Sequence, residues 1–452
     1  MAGGVALYAI NEFITMSLLP SVVADIGGAR LYAWVTTVYL VASVVSATTV
    51  GPVLARFGPR HSYLGALLFF AGGTAVCAAA PSMTALLAGR LIQGLAGGVL
   101  AGLGYAVISA ALPERLWTRA AAVVSAMWGV GTLVGPASGG VFAQFGLWRW
   151  GFGVLMFAAL LMAALVPIAL PARGGATEQS VRIPVRSLVL LGVAALLVSV
   201  AALPRNLAIT AGLLVSAAAL VVVFVVVDRG AAARVLPRRT FEPGPLKWIY
   251  LTMGLLMAAT MVDMYAPLFG QRLGALPPAA AGFLGAALSV GWTVAEIRSA
   301  SIADRRVAAR VVRWSPAVMA AGLGLAALAI RDGAGPVAIA ALGLALAISG
   351  VGIGAAWPHL SVWAMGSVEG GPVEGGPVEG GSADDAAERA VAAAAINTVQ
   401  LMCAAFGAGV AGVVVNVRAE PDAPAAQWLF AVFAGLAAVG WLASSRAARE
   451  PR

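Results

Sequence analysis

The chain has 452 residues, of which 61% are hydrophobic and only 10% are charged. Such a composition cannot cover a water-soluble surface, so it predicts a polytopic membrane protein. The net charge of +9 is scattered over short segments between apolar stretches, which argues against a nucleic-acid-binding surface.

Apolar stretches of about 20 residues recur along the chain, each long enough to cross a bilayer as a helix. They predict an all-α integral membrane protein with fourteen transmembrane helices. The predicted spans are 4–25, 33–54, 61–80, 84–112, 118–145, 149–170, 187–203, 207–228, 246–270, 278–298, 311–331, 335–364, 389–416 and 425–445.

The distribution of basic residues predicts the orientation of these helices, because Arg and Lys accumulate in loops that stay in the cytoplasm. With Met1 inside, the outer loops hold few basic residues, namely Arg30, Arg149, Arg205, Arg272, Arg331 and Arg418. Both termini are therefore predicted to be cytoplasmic. We expect a multi-pass protein of the plasma membrane, which is the inner membrane of a bacterium, and a monomer.

Two breaks in the apolar pattern predict the domain organisation. We expect an N-terminal six-helix bundle, a linker with two extra transmembrane helices, a C-terminal six-helix bundle and a cytoplasmic tail, over 1–170, 171–245, 246–445 and 446–452. Within the second bundle, the Gly/Pro/Glu-rich loop 366–388 cannot bury enough apolar surface to fold alone, which predicts a flexible cytoplasmic loop.

Helix one contains an acidic residue, Glu12, about eight residues from its start, or roughly 12 Å into the membrane. Apolar surroundings favour the neutral form of a carboxyl group until water reaches it. Exposure to each side in turn would let Glu12 carry protons. The alternative is a structural carboxyl group that is hydrogen-bonded to Asn11 or Arg90.

Two later segments carry residues that are unusual in a membrane. The connection after helix two reads Gly51-Pro-Val-Leu-Ala-Arg56-Phe-Gly58-Pro-Arg60. Helix four contains Arg90-Leu-Ile-Gln93-Gly94. An arginine in hydrocarbon is costly, so Arg90 is expected to face the interior and find an anion, unless it snorkels to the outer surface.

Helix five carries a strip of small residues. The glycines recur at spacings of four, four and one, which creates a smooth surface for close helix approach, and a proline among them permits a kink. These residues are Gly131, Gly135, Pro136, Gly139 and Gly140.

In the second half, Asp263 is the acidic residue that lies well inside a predicted span, as Glu12 does in the first half. It is a candidate second titratable or cation-binding group. His359 could titrate near neutral pH, or could simply pack between helices. Aromatic residues such as Trp128 and Trp357 could line an apolar cavity, although they also populate membrane interfaces.

Over essentially the whole chain, these segments resemble the major facilitator superfamily and, within it, the fourteen-helix drug:proton antiporters. The segment with Gly51, Arg56, Gly58 and Arg60 is similar to the superfamily's conformational loop signature, although Ala55 stands where the family has an acid. The loop at Asp304 is similar to this signature and keeps an acid.

Three other segments are similar to signatures of the same family. Arg90, Gln93 and Gly94 match its signature in helix four, and residues 131–140 match its antiporter signature in helix five, which implies export. The helix-one sequence from Asn11 to Pro20 is similar to a drug-exporter pattern, with the acid shifted by one position to Glu12.

The resemblance implies a major facilitator fold that exports hydrophobic or amphipathic compounds by alternating access, driven by the proton gradient and without a cofactor. The scarcity of charged residues inside the spans, together with the resemblance, makes Glu12, Asp263 and Arg90 the candidates for proton coupling. The candidate substrate cavity comprises Asn11, Gln93, Trp128, Tyr265, Trp357 and His359. No phosphate-binding loop or metal-ligand motif occurs in the sequence, so we expect no enzyme. A lipid or natural-product exporter or flippase on the same fold is the alternative.

Overall fold

The computed structural model describes residues 2–111, 117–169, 183–204, 206–366, 383–417 and 422–448. Side chains are described at these positions except at 2, 55, 105–126, 128, 169, 383–390 and 393. Most of the predicted loop 366–388, the end of the predicted tail and the side chain of Trp128 therefore lie outside the described residues.

Within the described ranges every regular element is a helix and no strand occurs. The α-helices are α1 (Ala2–Ile26), α2 (Tyr32–Ala47), α3 (Val50–Ala78), α4 (Met83–Ala111), α5 (Trp117–Gln144), α6 (Trp148–Ala169), α7 (Val185–Val200), α8 (Leu207–Gly230), α9 (Leu246–Thr260), α10 (Ala266–Gly274), α11 (Pro278–Ser299), α12 (Arg305–Ala329), α13 (Pro336–Gly366), α14 (Ala383–Asn416) and α15 (Ala423–Ala447). Short 3-10 helices occur at Ala29–Leu31, Arg238–Phe241 and Met261–Tyr265.

The described residues contain 12 helical segments that are long and apolar enough to cross a membrane. This confirms the prediction of an all-α membrane protein. A bilayer core offers no hydrogen-bond partners to the backbone, so a spanning segment must satisfy its own N–H and C=O groups as a helix. Two further helices, α5 with 28 residues and α7 with 16, lie at the fifth and seventh predicted positions.

The boundary between the second and third helices differs from the predicted one. Helix α2 ends at Ala47, and Thr49 makes a tight turn in which its hydroxyl donates to the carbonyl of Ser46 at 2.7 Å. Helix α3 then includes most of the segment that the sequence places in a loop. It is kinked at Gly58, whose φ of 71° lies in the left-handed region that a side chain disfavours.

The described chain forms two compact units. Unit 1 comprises Met1–Ile183 and Asp263–Ala286. In this unit α1 packs against α4, α5 and α6, while α4 also contacts α2 and α3. The short helix α10, although distant in sequence, packs against α1 within the same unit. Helix α1 is thus the central element of unit 1.

Unit 2 comprises Pro184–Val262 and Ala287–Arg452. Here α12 packs against α13 and α15, and α9 packs against α14 and α15. The two extra helices join this unit because α7 contacts α8 and α14. Much of α8 remains exposed, as its valines at 215, 222 and 226 show with 68%, 63% and 67% exposure. An apolar exposed face of this kind suits contact with lipid.

Candidate functional site

Arg90 lies on α4 in the interior of unit 1, where its side chain is only 1% exposed. Its Nε donates to the carbonyl of Val35 at 3.1 Å. Its Nη1 donates to the Gln93 Oε1 at 2.9 Å and to the Thr15 hydroxyl at 3.3 Å. The guanidinium also lies 4.1 Å from the centroid of the Tyr39 ring. Neutral oxygens and an aromatic face therefore stabilise this buried cation, which forms no ion pair with any described residue.

Gln93 holds Arg90 in place from within the same helix. While its Oε1 accepts from Arg90, its Nε2 donates to the Thr74 hydroxyl of α3 at 2.9 Å. The Cys77 thiol is a second donor to the Gln93 Oε1, at 3.5 Å. Cys77 is thus a small buried residue of this network, and it is not in a disulfide.

Glu12 lies on α1 and is half-buried, unlike most of its neighbours. Among the described residues its carboxylate has no hydrogen-bond or ion-pair partner, but Arg90 and Asp263 are close enough to interact with it electrostatically. The adjacent Asn11 is fully buried. Neither its amide oxygen nor its amide nitrogen forms a hydrogen bond of normal distance and angle with a described residue. The Glu12 carboxyl group of α1 therefore interacts electrostatically with the Arg90 cation but forms no ion pair with it.

Asp263 lies in the 3-10 helix Met261–Tyr265, where the ninth predicted span is interrupted. The predicted span 246–270 corresponds to one apolar helical segment, Leu246–Gly274, in which this 3-10 turn separates two α-helices. Pro267 has no N–H to donate to the carbonyl of Asp263, so one α-helical hydrogen bond is missing at this point. The Asp263 side chain is 4% exposed, and its Oδ1 has no hydrogen-bond partner among the described residues. A 3-10 segment inside a longer helix often marks a hinge at a functional position.

An aromatic layer packs beside Asp263 in unit 1. The ring of Tyr265 stacks on that of Tyr32 with centroids 4.8 Å apart, and the Tyr32 hydroxyl donates to the Met264 carbonyl at 3.1 Å. Phe269 also packs against Tyr265, with the two ring centroids 6.0 Å apart. Tyr265, a predicted cavity residue, is thus fully buried in this arrangement.

The glycine strip of α5 lies directly on α1. A Cβ atom added at Gly131 would meet the Ala9 Cβ at 2.6 Å, and one at Gly135 would meet the Phe13 Cβ at 2.5 Å. One at Gly139 would meet the Ile14 carbonyl oxygen at 2.8 Å. The absence of side chains therefore lets α5 approach the backbone of the helix that carries Glu12.

The last glycine of the strip faces a different neighbour. A Cβ atom at Gly140 would lie 2.5 Å from the Cα of Ala279, at the start of α11 in unit 1. Pro136 stands inside α5, which continues as a helix through it. Its carbonyl lies close to Gly282, where an added Cβ would be 3.0 Å away. Two neighbouring positions of α5 thus contact the first turns of α11.

In unit 2, glycines bring the backbones of α11 and α13 into contact. A Cβ atom at Gly350 would clash with the Leu288 carbonyl, and one at Gly354 would clash with the Trp292 carbonyl. This close approach places the rings of Trp292 and Trp357 with their centroids 5.5 Å apart. Their position follows from glycines that the sequence analysis did not single out.

The Trp292 indole donates to the Glu296 Oε2 at 2.9 Å. Glu296 has no basic partner among the described residues, so an ion pair with Arg298 is not formed. The result is an uncompensated carboxylate beside two tryptophans, both partly exposed. The spacing of four residues between Trp292 and Glu296 on one helix was the sequence signal for this pair.

His359 connects the same two helices. Its Nε2 lies 2.9 Å from the Ser299 hydroxyl, which donates its own hydrogen to the Ala355 carbonyl at 2.7 Å. The hydroxyl has only one hydrogen, so the Nε2 of His359 is the donor in this pair. His359 is 8% exposed and joins α13 to the end of α11.

The two predicted conformational segments differ in structure. In α3, Arg56 is exposed beside the Phe57 ring, and Arg60 is partly exposed. In unit 2, Asp304 instead caps the start of α12, where its carboxylate accepts from the backbone N–H of Arg306 at 2.7 Å and of Val307 at 3.3 Å. No described residue forms an ion pair with Arg56, Arg60 or Asp304.

Comparisons with known proteins agree with this architecture. Solved structures of the nucleoside transporter NupG and of a human organic anion transporter share the fold, with TM-scores of 0.67 and 0.60 at 14% and 17% identity. The match to NupG covers 99% of this chain and 98% of NupG. The match to the human transporter covers 98% of this chain and 97% of that protein.

Curated relatives extend the likeness to sequence. A protein of Mycobacterium tuberculosis named a probable multidrug-efflux transporter is 59% identical over 462 residues, covering 100% of this chain and 94% of the relative. The multidrug efflux pump SdrM of Staphylococcus aureus is 27% identical over 63% of this chain and 64% of its own. The family model of the Major Facilitator Superfamily matches residues 1–372. The chain therefore belongs to the major facilitator superfamily.

Proposed function

We propose that this protein is a proton-driven multidrug exporter that moves hydrophobic or amphipathic compounds out of the cell. Because it belongs to a superfamily of transporters, it is a transporter and not an enzyme. The observation that carries the proposal is the half-buried carboxylate of Glu12, which has no hydrogen-bond or ion-pair partner among the described residues and interacts electrostatically with the buried cation of Arg90. The 59% identity to a probable multidrug-efflux transporter supports export as the direction and drugs as the substrates.

The proposed topology has fourteen membrane spans, with both termini in the cytoplasm. Helices α5 and α7, added to the 12 apolar segments, supply the two remaining crossings. The distribution of arginine between alternate loops supports the orientation. We place the protein in the plasma membrane and infer that one chain suffices for transport.

The proposed mechanism is an exchange of protons for substrate. Glu12 takes up a proton when its surroundings open to the outside and gives it up when they open to the cytoplasm. Arg90 lies close enough to Glu12 to interact with it electrostatically, and Gln93 keeps Arg90 oriented. Asp263, at the interruption between α9 and α10, is the second proton-carrying group, since it is buried and can interact electrostatically with Glu12. No bound cofactor takes part.

We assign substrate contact to polar and aromatic groups, considered separately in each unit. Both polar atoms of the Asn11 amide are buried without a hydrogen-bond partner that meets the usual distance and angle limits among the described residues. The same is true of the Tyr265 hydroxyl group. In unit 2, Trp357 offers a partly exposed aromatic face. His359 is proposed to position Trp357 by joining α13 to α11. Trp128 completes the assignment from the sequence pattern alone.

The proposal predicts that purified protein in liposomes will move lipophilic drugs against their concentration gradient when a pH gradient is imposed. A proton-conducting uncoupler should abolish this transport, because it removes the only energy source. Drug flux would be followed by fluorescence, with protein-free liposomes as the control. Transport that ignores the pH gradient would refute proton coupling, and movement of fluorescent phospholipids alone would favour the flippase alternative.

The Glu296 carboxylate predicts a preference for positively charged drugs. We expect Glu296→Gln to reduce transport of a lipophilic cation by about tenfold, which corresponds to about 1.4 kcal/mol, because the substitution removes the negative charge that attracts the cation. A neutral drug of similar size should be transported as before. The measurement is the ratio of initial rates for the two drugs.

The matched control for this prediction is Glu242→Gln. Glu242 is exposed and its carboxylate pairs with Arg238 at 3.7 Å, so the variant removes one exposed negative charge from unit 2. An unchanged ratio in Glu296→Gln, or an equal change in Glu242→Gln, would contradict a cation site at Trp292 and Trp357.

A further inference from the structure

Three helices of unit 2 meet with their basic ends on the same side. A Cβ atom added at Gly440 of α15 would lie 3.5 Å from Pro316 of α12 and 3.7 Å from Leu255 of α9. The Ser444 hydroxyl of α15 also donates to the Arg313 carbonyl of α12 at 3.0 Å. Helices α9, α12 and α15 therefore share one junction near this end of the bundle.

Basic side chains lie beyond that junction at similar heights. At 1.5 Å per residue, Arg446 lies about 9 Å from Gly440 along α15, and Arg310 lies about 9 Å from Pro316 along α12. Lys247 is about 12 Å from Leu255 along α9. The basic cluster, defined as Lys247, Arg310 and Arg446, is thus one layer contributed by three packed helices, and all three side chains are exposed.

No described carboxylate neutralises this layer. Neither ion pair found in the described chain involves Lys247, Arg310 or Arg446. Helix α9 also begins without a side-chain cap, so its first N–H groups add partial positive charge beside Lys247. A cluster of cations without counter-charges attracts an anion from outside the chain.

Tryptophans lie beneath the basic cluster, closer to the junction. Trp314 and Trp441 are 52% and 37% exposed, and their rings pack with centroids 5.5 Å apart. Trp248 lies under the Arg446 guanidinium, whose central carbon is 4.4 Å from the ring centroid. Tryptophan prefers the level of lipid head groups, where one end is apolar and the other is wet. The basic cluster, which lies farther from the junction than these tryptophans, is therefore at the level of the lipid phosphates.

We propose that this surface binds the head group of an anionic phospholipid. The phosphodiester accepts hydrogen bonds from Lys247, Arg310 and Arg446, while the acyl chains lie along Trp314 and Trp441. The combination of a basic layer and an aromatic layer favours a membrane lipid over a free phosphate ion, because free phosphate has no apolar part to contact the tryptophans. The site is separate from the groups proposed for transport.

The test is native mass spectrometry of the purified full-length protein with phosphatidylglycerol or phosphatidylcholine of identical acyl chains. We expect retention of phosphatidylglycerol in preference to phosphatidylcholine. The triple variant Lys247→Gln, Arg310→Gln, Arg446→Gln should bind phosphatidylglycerol roughly a hundredfold more weakly, at about fivefold per basic residue. If the triple variant does not fold, Arg446→Gln alone should show the fivefold loss.

The control variant Arg229→Gln, Arg298→Gln, Arg331→Gln removes as many exposed charges from unit 2 and should keep wild-type retention. Equal losses in the two triple variants would overturn the site, as would equal retention of the two lipids by wild type. Inorganic phosphate in millimolar excess should not displace the lipid, and displacement would instead identify a free-anion site. Because binding is measured without transport, failure of the proposed function would not affect this result.

Discussion

Glu12→Gln is expected to reduce pH-gradient-driven drug transport to the level of protein-free liposomes. Glutamine has nearly the shape of a protonated glutamate but cannot release a proton, so the exchange cycle stops. No described residue fixes the carboxylate by a hydrogen bond or ion pair, so its replacement should leave the fold intact. The variant should still exchange labelled drug for unlabelled drug across the membrane without a gradient. Both activities would be measured on the same liposome preparation.

The matched control is Asp25→Asn on the same helix. Asp25 accepts from the Arg149 guanidinium at 2.6 Å and from the Trp148 indole at 3.0 Å, near the end of α1. The Arg149 and Asp25 side chains are 45% and 48% exposed, and exposed ion pairs contribute little to stability, so transport should persist. Wild-type transport in Glu12→Gln would show that Glu12 is not the essential proton carrier.

Gly135→Leu is expected to separate α5 from α1 and to abolish transport. The added Cβ would lie 2.5 Å from the Phe13 Cβ and 3.1 Å from the Ile14 backbone nitrogen. A backbone atom in a helix cannot rotate away, so α1 must shift as a whole. Overpacking of this kind costs about 1–3 kcal/mol or more. The shift also moves Glu12, which lies next to Phe13. We expect a lower thermal-unfolding temperature together with lost transport.

Gly129→Leu provides the comparison on the same helix, because a Cβ atom at Gly129 would have no neighbour within 4 Å among the side chains and backbone that the structure describes. This variant should express, melt and transport like the wild type. An equal loss of thermal stability and transport in both variants would mean that leucine destabilises α5 itself, independently of its contact with α1. Full activity in Gly135→Leu would contradict close packing between α5 and α1 in the working protein.

The positions of the helices were largely predictable from hydropathy, whereas their interruptions depended on single residues. The ninth span illustrates the difference, because its apolar pattern continues through Asp263 while Pro267 interrupts the helix. The segment from Gly51 to Arg60 is polar enough to be predicted as a loop. Most of it is nevertheless helical, with its break at Gly58 alone.

The candidate site was predictable only as separate residues. Acidic and basic residues are rare inside apolar spans, so Glu12, Asp263 and Arg90 stood out in the sequence. Their partners did not, because Tyr39 and Val35, which contact Arg90, are ordinary members of an apolar span. The pairing of Trp292 with Trp357 was equally hidden, since it depends on how closely two distant helices approach.

The sequence by itself determined that the chain is a helical membrane protein, that its family is the major facilitator superfamily and which charged residues lie in its spans. These conclusions depend on local composition and spacing. An apolar segment in a bilayer must form a helix, because the hydrocarbon offers its backbone no hydrogen-bond partners. Only the tertiary structure decided which residues meet: the neutral oxygens and the Tyr39 ring around Arg90, the Trp292 indole at the Glu296 carboxylate, and the basic layer over exposed tryptophans. Such contacts depend on the rotation and distance of helices far apart in the chain, which the glycines of α5 and α13 control through close packing.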